Sequence, residues 1–254
     1  MNIYHQISEL IKENKAAVLC VITATTGSSP RKAGSKMIVF ADRKISGTIG
    51  GGSIEFQAIT DALEALKAGL PFKKNYQLEE DLAMHCGGTV EVYFEPIKSS
   101  ADLYIFGAGH IGRVVARYAL DFGFRVTIFD QREEIFKEFD SEPYHCICEN
   151  FFTAMEKASF TENTFSVIVT PKHEYDERIV MILAKKPFAY LGMIGSKRKV
   201  AEVKKNMLEN NGFTQQEIDR IDMPIGVKFN AETPEEIAIS IIAKLIDIKN
   251  SLNK

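Results

Sequence analysis

The chain has 254 residues, 45% of them apolar and 26% charged, with a formal net charge of −3. That balance belongs to a folded globular protein rather than a disordered one, and without a basic excess it offers no field to a nucleic-acid backbone or an anionic membrane. The length admits one large or two modest cores, and four cysteines without a secretion signal are expected to be reduced thiols of a cytoplasmic protein.

Residues 1–13 read as an amphipathic helix lacking the basic and apolar regions of a signal peptide, and no run approaches membrane-spanning length. The β-branched, apolar run from 15 to 25 suits a buried strand and empties into the loop Gly27 to Gly34. Short strands follow over 37–40 and 44–48, joined tightly through Ala41, Asp42 and Arg43. After Gly50-Gly51-Gly52, the residues Ile54, Ala58, Ile59, Ala62, Leu63 and Leu66 recur at helical spacing and predict a helix over 53–68. Strands near 72–78 and 89–95 bracket Met84-His85-Cys86-Gly87-Gly88, and 96–101 reads as a linker between domains at 1–98 and 102–254. Beyond it, strands near 103–107, 124–129, 144–148, 165–170 and 188–194 alternate with helices, which calls for a parallel sheet with right-handed crossovers. The expected fold is α/β: a C-terminal Rossmann-like parallel sheet with helices on both faces, plus a smaller N-terminal α/β domain. The last helix announces itself with Thr233 as N-cap, Pro234 at its first position and Glu236 at its third.

The most specific signal lies in the middle. An apolar strand from Asp102 to Phe106 runs into Gly107-Ala108-Gly109-His110-Ile111-Gly112, and a helix and a second strand ending at Asp130 follow. In that order the glycines have separate tasks. Gly107 permits the tight turn, Gly109 lets the backbone approach a phosphate, and Gly112 lets the helix lie close on the strand. Amide N–H groups at the helix start then face an anion, and Asp130 falls where such folds place a carboxylate that accepts from a ribose hydroxyl.

Other candidates each have a plainer alternative. Gly50, Gly51 and Gly52, with the Ser53 hydroxyl, either present N–H groups to an anion or simply turn the chain. Glu55 is either a proton-handling carboxylate or a complement to the helix dipole. Cys86 stands outside any periodic apolar pattern, between His85 and two glycines, as a functional thiol or an exposed loop cysteine. Cys20 alternates inside an apolar strand and belongs to the core. His145, Cys146 and Cys148 invite a metal reading, but no second ligand pair lies at zinc spacing. The segment Thr170 to Asp176 follows the fourth strand of the second half, at the edge where open α/β sheets bind ligands, which makes His173 a candidate. Ser196, with Lys197 and Arg198, opens another helix and is either an anion site or a solvated first turn.

Taken together, Gly27-Ser-Ser-Pro-Arg-Lys-Ala-Gly34, Gly47-Thr-Ile-Gly-Gly-Gly-Ser-Ile-Glu55, Met84 to Gly88, Phe106 to Gly112, Asp130-Gln-Arg132, Tyr190 to Arg198, Pro224-Ile-Gly226 and Ala231 to Ala238 resemble the XdhC/CoxI family over essentially the whole chain. The resemblance implies an accessory factor for a molybdenum hydroxylase such as xanthine dehydrogenase. Such a factor binds the molybdenum–pterin cofactor, protects it during sulfuration and helps deliver it to the apoenzyme. Implied partners are that apoenzyme and a sulfur-donating desulfurase, and a homodimer is expected. The implied cofactor contacts in the first half are Gly50, Gly51, Gly52, Ser53 and Cys86, the last a molybdenum ligand. In the second half they are Gly107, Gly109, His110, Gly112, Asp130, Arg132, His173, Asp176 and Ser196. No catalytic residue is firm; Cys86, Glu55 and His173 are the candidates. One departure matters: the family often carries Thr-His where this chain has Thr170-Pro171, so only His173 and Asp176 carry over. Two other classes stand beside this reading, an NAD(P)-dependent oxidoreductase and a dinucleotide-sensing binding module. The first lacks a proton relay other than His173, and the second lacks a helix-turn-helix pattern in the N-terminal half.

Overall fold

The computed structural model describes residues 2–79, 87–137 and 143–252, and the chain divides into two units, Met1–Ser99 and Ser100–Lys254. In the first unit α1 (Ile3–Lys12) precedes β1 (Ala17–Thr26), β2 (Lys36–Phe40) and β3 (Ile45–Gly47); α2 (Gly52–Ala68), β4 (Phe72–Gln77) and β5 (Thr89–Ile97) follow. The strands pair antiparallel in the order β3-β2-β1-β5-β4. Alternation along β1 explains how both faces are covered. Val18, Cys20 and Ile22 pack with Ile54, Ala58 and Ala62 of α2, whereas Ala17 packs with Leu10 of α1 and Ile38 of β2. Cys20 is buried, and burial, followed by the nearby Asp61 charge, pushes its thiol up to about 12, as expected of a core cysteine. His85 and Cys86 lie outside the described residues.

The segment read as a linker is shorter than the sequence implied. Pro96 and Ile97 still pair with Val18 and Ala17 of β1, and Ala101 already opens the next strand. Pro96 is tolerated because the pairing of β5 with β4 ends at Phe94, so the missing N–H costs no ladder bond on that side.

The second unit alternates strictly. It runs β6 (Ala101–Phe106), α3 (His110–Asp121), β7 (Phe124–Asp130), α4 (Glu133–Phe136), β8 (His145–Cys148), α5 (Phe151–Lys157), β9 (Thr164–Ile168), α6 (His173–Leu183) and β10 (Tyr190–Met193). Three helices close it: α7 (Lys197–Asn210), α8 (Gln215–Asp219) and α9 (Pro234–Ser251). The strands form a parallel sheet in the order β10-β9-β6-β7-β8. Leu103 and Ile105 of β6 pack with Val115 and Ala116 of α3 and Ile241 of α9. Tyr104 and Phe106 point the other way, onto Phe151 of α5, Ile179 of α6 and Val203 of α7. Helices therefore cover both faces, and the near-continuous apolar strands are what such double burial requires. The winding reverses between β6 and β9, the switch point at whose carboxyl side open sheets bind ligands. The capping box of α9, Thr233 with Glu236 and Pro234 in the first turn, forms as the sequence predicts. Among the described residues no helix is long and apolar enough to cross a membrane.

Candidate functional site

The turn between β6 and α3 is built by its three glycines. Gly107 has φ of +111°, and a Cβ there would lie 2.4 Å from the Val169 carbonyl oxygen. At Gly112 a Cβ would meet the Gly107 carbonyl oxygen at 2.0 Å, so glycine is what lets α3 sit on the strand end. Gly109 differs. It caps α3 in an ordinary extended conformation, and none of the described residues lies within 4 Å of its Cβ position.

That open space belongs to a cavity of about 290 Å³ lined by Gly109, His110, Arg113, Arg132, Ile135, Val169 and Pro171. Arg113 Nε donates to the Ala108 carbonyl at 3.2 Å and Nη2 to the Ile135 carbonyl at 2.9 Å, which fixes its guanidinium in the wall. Arg132 is fixed from the other side, with Nε and Nη2 donating to Asp130 Oδ1 and Oδ2 at 2.9 and 2.7 Å. Asp130 is fully buried, and Oδ2 also accepts the Ala108 N–H at 2.8 Å. Burial raises its carboxyl, but the bonds from Arg132 and Ala108 outweigh burial and hold it below the usual carboxylate range. Asp130 thus stands behind the turn, and Arg132 is the member of the pair that reaches the cavity.

Val169 and Pro171 enter the lining from the segment just after β9, whose next residues lead into α6. Thr170 donates to Asp176 Oδ1 through its N–H at 3.0 Å and its hydroxyl at 2.6 Å. Asp176 Oδ2 is buried without a hydrogen-bond partner among the described residues, 3.4 Å from Nδ1 of the exposed His173. Burial pushes this carboxyl up, against the lowering effect of Thr170 and His173. Asp176 faces inward and His173 outward. Gln131 Nε2 donates to the Tyr175 hydroxyl at 3.1 Å, tying the loop after β7 to the first turn of α6.

A second cavity, about 590 Å³, opens beyond β10, with Lys197, Gly226, Phe229 and Asn230 in its lining. Asp222 shapes it, accepting from the Tyr190 hydroxyl at 2.6 Å and the Gly226 N–H at 2.8 Å. Ser196 caps α7, its hydroxyl accepting the Lys199 N–H at 3.3 Å. Among the described residues no cluster of three or more His, Cys, Asp or Glu could hold a metal ion.

In the first unit the Gly50 to Gly52 cluster meets an anion of its own. Glu55 Oε1 accepts the N–H groups of Gly51 and Ile49 at 2.9 and 3.1 Å and the Thr48 hydroxyl at 2.5 Å, while Thr48 accepts the Gly50 N–H at 3.2 Å. Burial alone would raise the Glu55 carboxyl, but these donors hold it below its ordinary value. Its geometry is that of a capping anion that stays charged. Among the described residues nothing lies within 4 Å of the Cβ positions of Gly51 and Gly52.

The smaller cavity therefore unites Gly109, His110 and Arg132, which the motif singles out, with Arg113, Ile135, Val169 and Pro171, which it does not. Arg113 had a signal in the sequence: it stands four residues after Gly109, one helical turn along the same face. Pro171 and Ile135 had none.

Residues 103–245 match the XdhC Rossmann domain, and residues 10–77 match the XdhC and CoxI family. YqeB of Escherichia coli K12 is 32% identical over 257 residues, covering 99% of this chain and 47% of its own length. A probable xanthine dehydrogenase subunit of Bacillus subtilis 168 is 26% identical over 176 residues, 65% of this chain and 48% of its own. The molybdenum cofactor insertion chaperone PaoD of E. coli K12 is 22% identical over 277 residues, 95% of this chain and 86% of its own. The chain thus spans about half the length of YqeB and of the B. subtilis protein. A crystal structure described as a xanthine dehydrogenase from Bacillus halodurans has the same fold, with a TM-score of 0.53 at 22% identity, covering 99% of this chain and 96% of that one.

Proposed function

Since the chain belongs to the XdhC and CoxI family, we propose that it is an accessory factor that matures a molybdenum hydroxylase of the xanthine dehydrogenase type, with the molybdenum–pterin cofactor as its cargo. The names of two relatives, a molybdenum cofactor insertion chaperone and a probable xanthine dehydrogenase subunit, support the reading. The observation that carries it is the opening at Gly109, where the start of a 12-residue helix lines a cavity together with two arginines held by hydrogen bonds. A phosphate of the cargo fits such a place, because the helix start and the arginines all favour an anion. Gly109 and His110 hold that phosphate, Gly107, Gly112 and Asp130 keep the turn in shape, Arg132 faces the cargo's polar edge, and the exposed His173 meets the part of the cargo that extends out of the cavity. Asp176 acts through His173.

The remaining parts follow the same reading. Ser53 and the outer side of Gly50 to Gly52 supply an anion contact in the first unit, and Ser196 one at α7. Cys86 offers molybdenum a thiolate, a soft donor suited to a soft metal. The chain holds and hands over its cargo and turns nothing over; its partners are the hydroxylase apoenzyme, a desulfurase that supplies sulfur, and a second copy of itself, in the cytoplasm.

The test is retention. The purified chain is incubated with molybdenum–pterin cofactor or with NAD(P)H, passed over a sizing column, and assayed for molybdenum, pterin and nicotinamide. Cofactor is expected to travel with the protein and NAD(P)H is not. The reverse result would replace this reading with the NAD(P)-dependent oxidoreductase. Cys86→Ser is expected to weaken retention at an unchanged melting temperature; equal retention would make the cysteine a bystander.

A further inference from the structure

We infer that the cavity at the glycine turn selects a phosphomonoester and discriminates against a ligand that places a ribose diol there. The inference rests on the proposed function only in taking this cavity as the ligand site. In dinucleotide-binding folds the acid at the end of the second strand reads the diol by accepting from its hydroxyls, which requires lone pairs open to the ligand. Asp130 holds that position here, but it is fully buried. Its Oδ1 accepts from the N–H and Nε of Arg132 at 3.1 and 2.9 Å, and its Oδ2 from the Ala108 N–H and Arg132 Nη2 at 2.8 and 2.7 Å. Four donors meet the roughly four acceptor sites of a carboxylate. None is left for a sugar.

What the same edge does present is a donor. Arg132 engages Asp130 side-on through Nε and Nη2, which leaves the Nη1 edge of the fork, and its side chain is 34% exposed at the cavity. Arg113 lines the cavity too, and it donates to one lone pair of each of the Ala108 and Ile135 carbonyls. A diol at this place would find the acid that reads it already saturated, whereas a phosphate oxygen needs only the donor that Arg132 offers. Bulk charge is not the cause. Asp130 partly neutralises Arg132, and Glu134 of α4 stands close enough to act on it as well. Selection comes from N–H groups held in a fixed direction by the buried carboxylate, a preorganised fork rather than a positive field.

Two sources carry this chemistry, the terminal phosphate of a pterin cofactor and the 2′-phosphate of a nicotinamide dinucleotide. Calorimetric titration of the full chain with four probes separates them: the molybdenum–pterin cofactor with a terminal phosphate, its dinucleotide form, NADP⁺ and NAD⁺. Within whichever pair binds, the phosphomonoester is expected to bind at least about tenfold tighter, the scale of a charge-assisted bidentate contact. Equal or tighter binding of the diol-bearing member, or no binding by any probe, overturns the inference. Cofactor held equally in both forms overturns the selection and leaves the proposed function standing; binding of NADP⁺ alone does the opposite. Because Arg132→Leu would strand a buried carboxylate, the variant of choice is Asp130→Asn with Arg132→Gln, which keeps hydrogen-bonding groups without either charge. It is expected to bring the preference to within about twofold, and a preference that survives in a folded double variant would remove Arg132 as the reader. Should the double variant fail to fold, the four-probe series on the parent chain decides alone.

Discussion

At the start of α2 the N–H groups of Ile49 and Gly51 close on Glu55, an anion four residues inside the same motif. At the start of α3 the corresponding acid, Asp130, sits behind the turn and bonds the Ala108 N–H, while the space in front of Gly109 stays open for 4 Å. Both segments are glycine-rich helix starts, and both satisfy the physical demand that exposed amides and a helix dipole place on their surroundings. One meets it from within and is thereby rigid and closed over its first amides. The other keeps its acid behind the turn and its front side open, and that contrast separates a glycine cluster whose inner amides are spent on Glu55 from one whose front side is not met by an acid of its own.

Substitutions put the contrast at risk. The largest effect is expected from Gly112→Ala, whose Cβ would stand 2.0 Å from the Gly107 carbonyl oxygen. Backbone cannot yield as a side chain can, so a loss of roughly 3 kcal/mol in thermal or denaturant unfolding is expected. A neutral result would mean that α3 is not seated as described. Gly109→Val comes next. With open space at the Cβ and φ of −70°, it is expected to cost no more than about 1 kcal/mol as a poorer N-cap, yet to lower cofactor retention tenfold or more. Retention equal to the parent's would cancel the difference between the two helix starts.

Glu55→Gln probes the closed start. Loss of a charged acceptor for two amides and a hydroxyl is expected to cost about 1–3 kcal/mol, read as a lower melting temperature. The folded carboxyl lies below its ordinary 4.5, so its stabilisation is present above that pH and is lost as pH falls through the folded value. The gap in melting temperature between parent and variant should therefore be widest near neutrality and narrow in acid. A gap independent of pH would show that charge on Glu55 is not what holds the cluster. The smallest effect belongs to Gly51→Ala. None of the described residues lies near the Cβ, and the φ of +76° resists it, so about 1 kcal/mol is expected in the same unfolding measurement.

The architecture was legible in the residues alone. Apolar strands alternating with helices required a parallel sheet, and the capping box at Thr233 marked the last helix, because both depend on short-range backbone and burial periodicities. The local geometry at Gly107, Gly109 and Gly112 was legible for the same reason: positive φ, an open Cβ position and a close carbonyl are properties of a few adjacent residues. The span of the linker was less legible, since Pro96 remains in its strand only because β4 has already ended beside it. The direction each carboxylate faces was settled only when the chain was folded. Asp130, Glu55 and Asp176 look alike as acids near helix starts, yet one is sealed by Arg132 and Ala108, one closes its own glycine cluster, and one keeps a buried oxygen toward His173. A charge removed from water goes to whichever donors the fold brings around it: Asp130 takes one of its four from Ala108, 22 residues away, whereas Asp176 and Glu55 find theirs within seven residues, where the local turn and not the spacing decides which way the carboxylate faces.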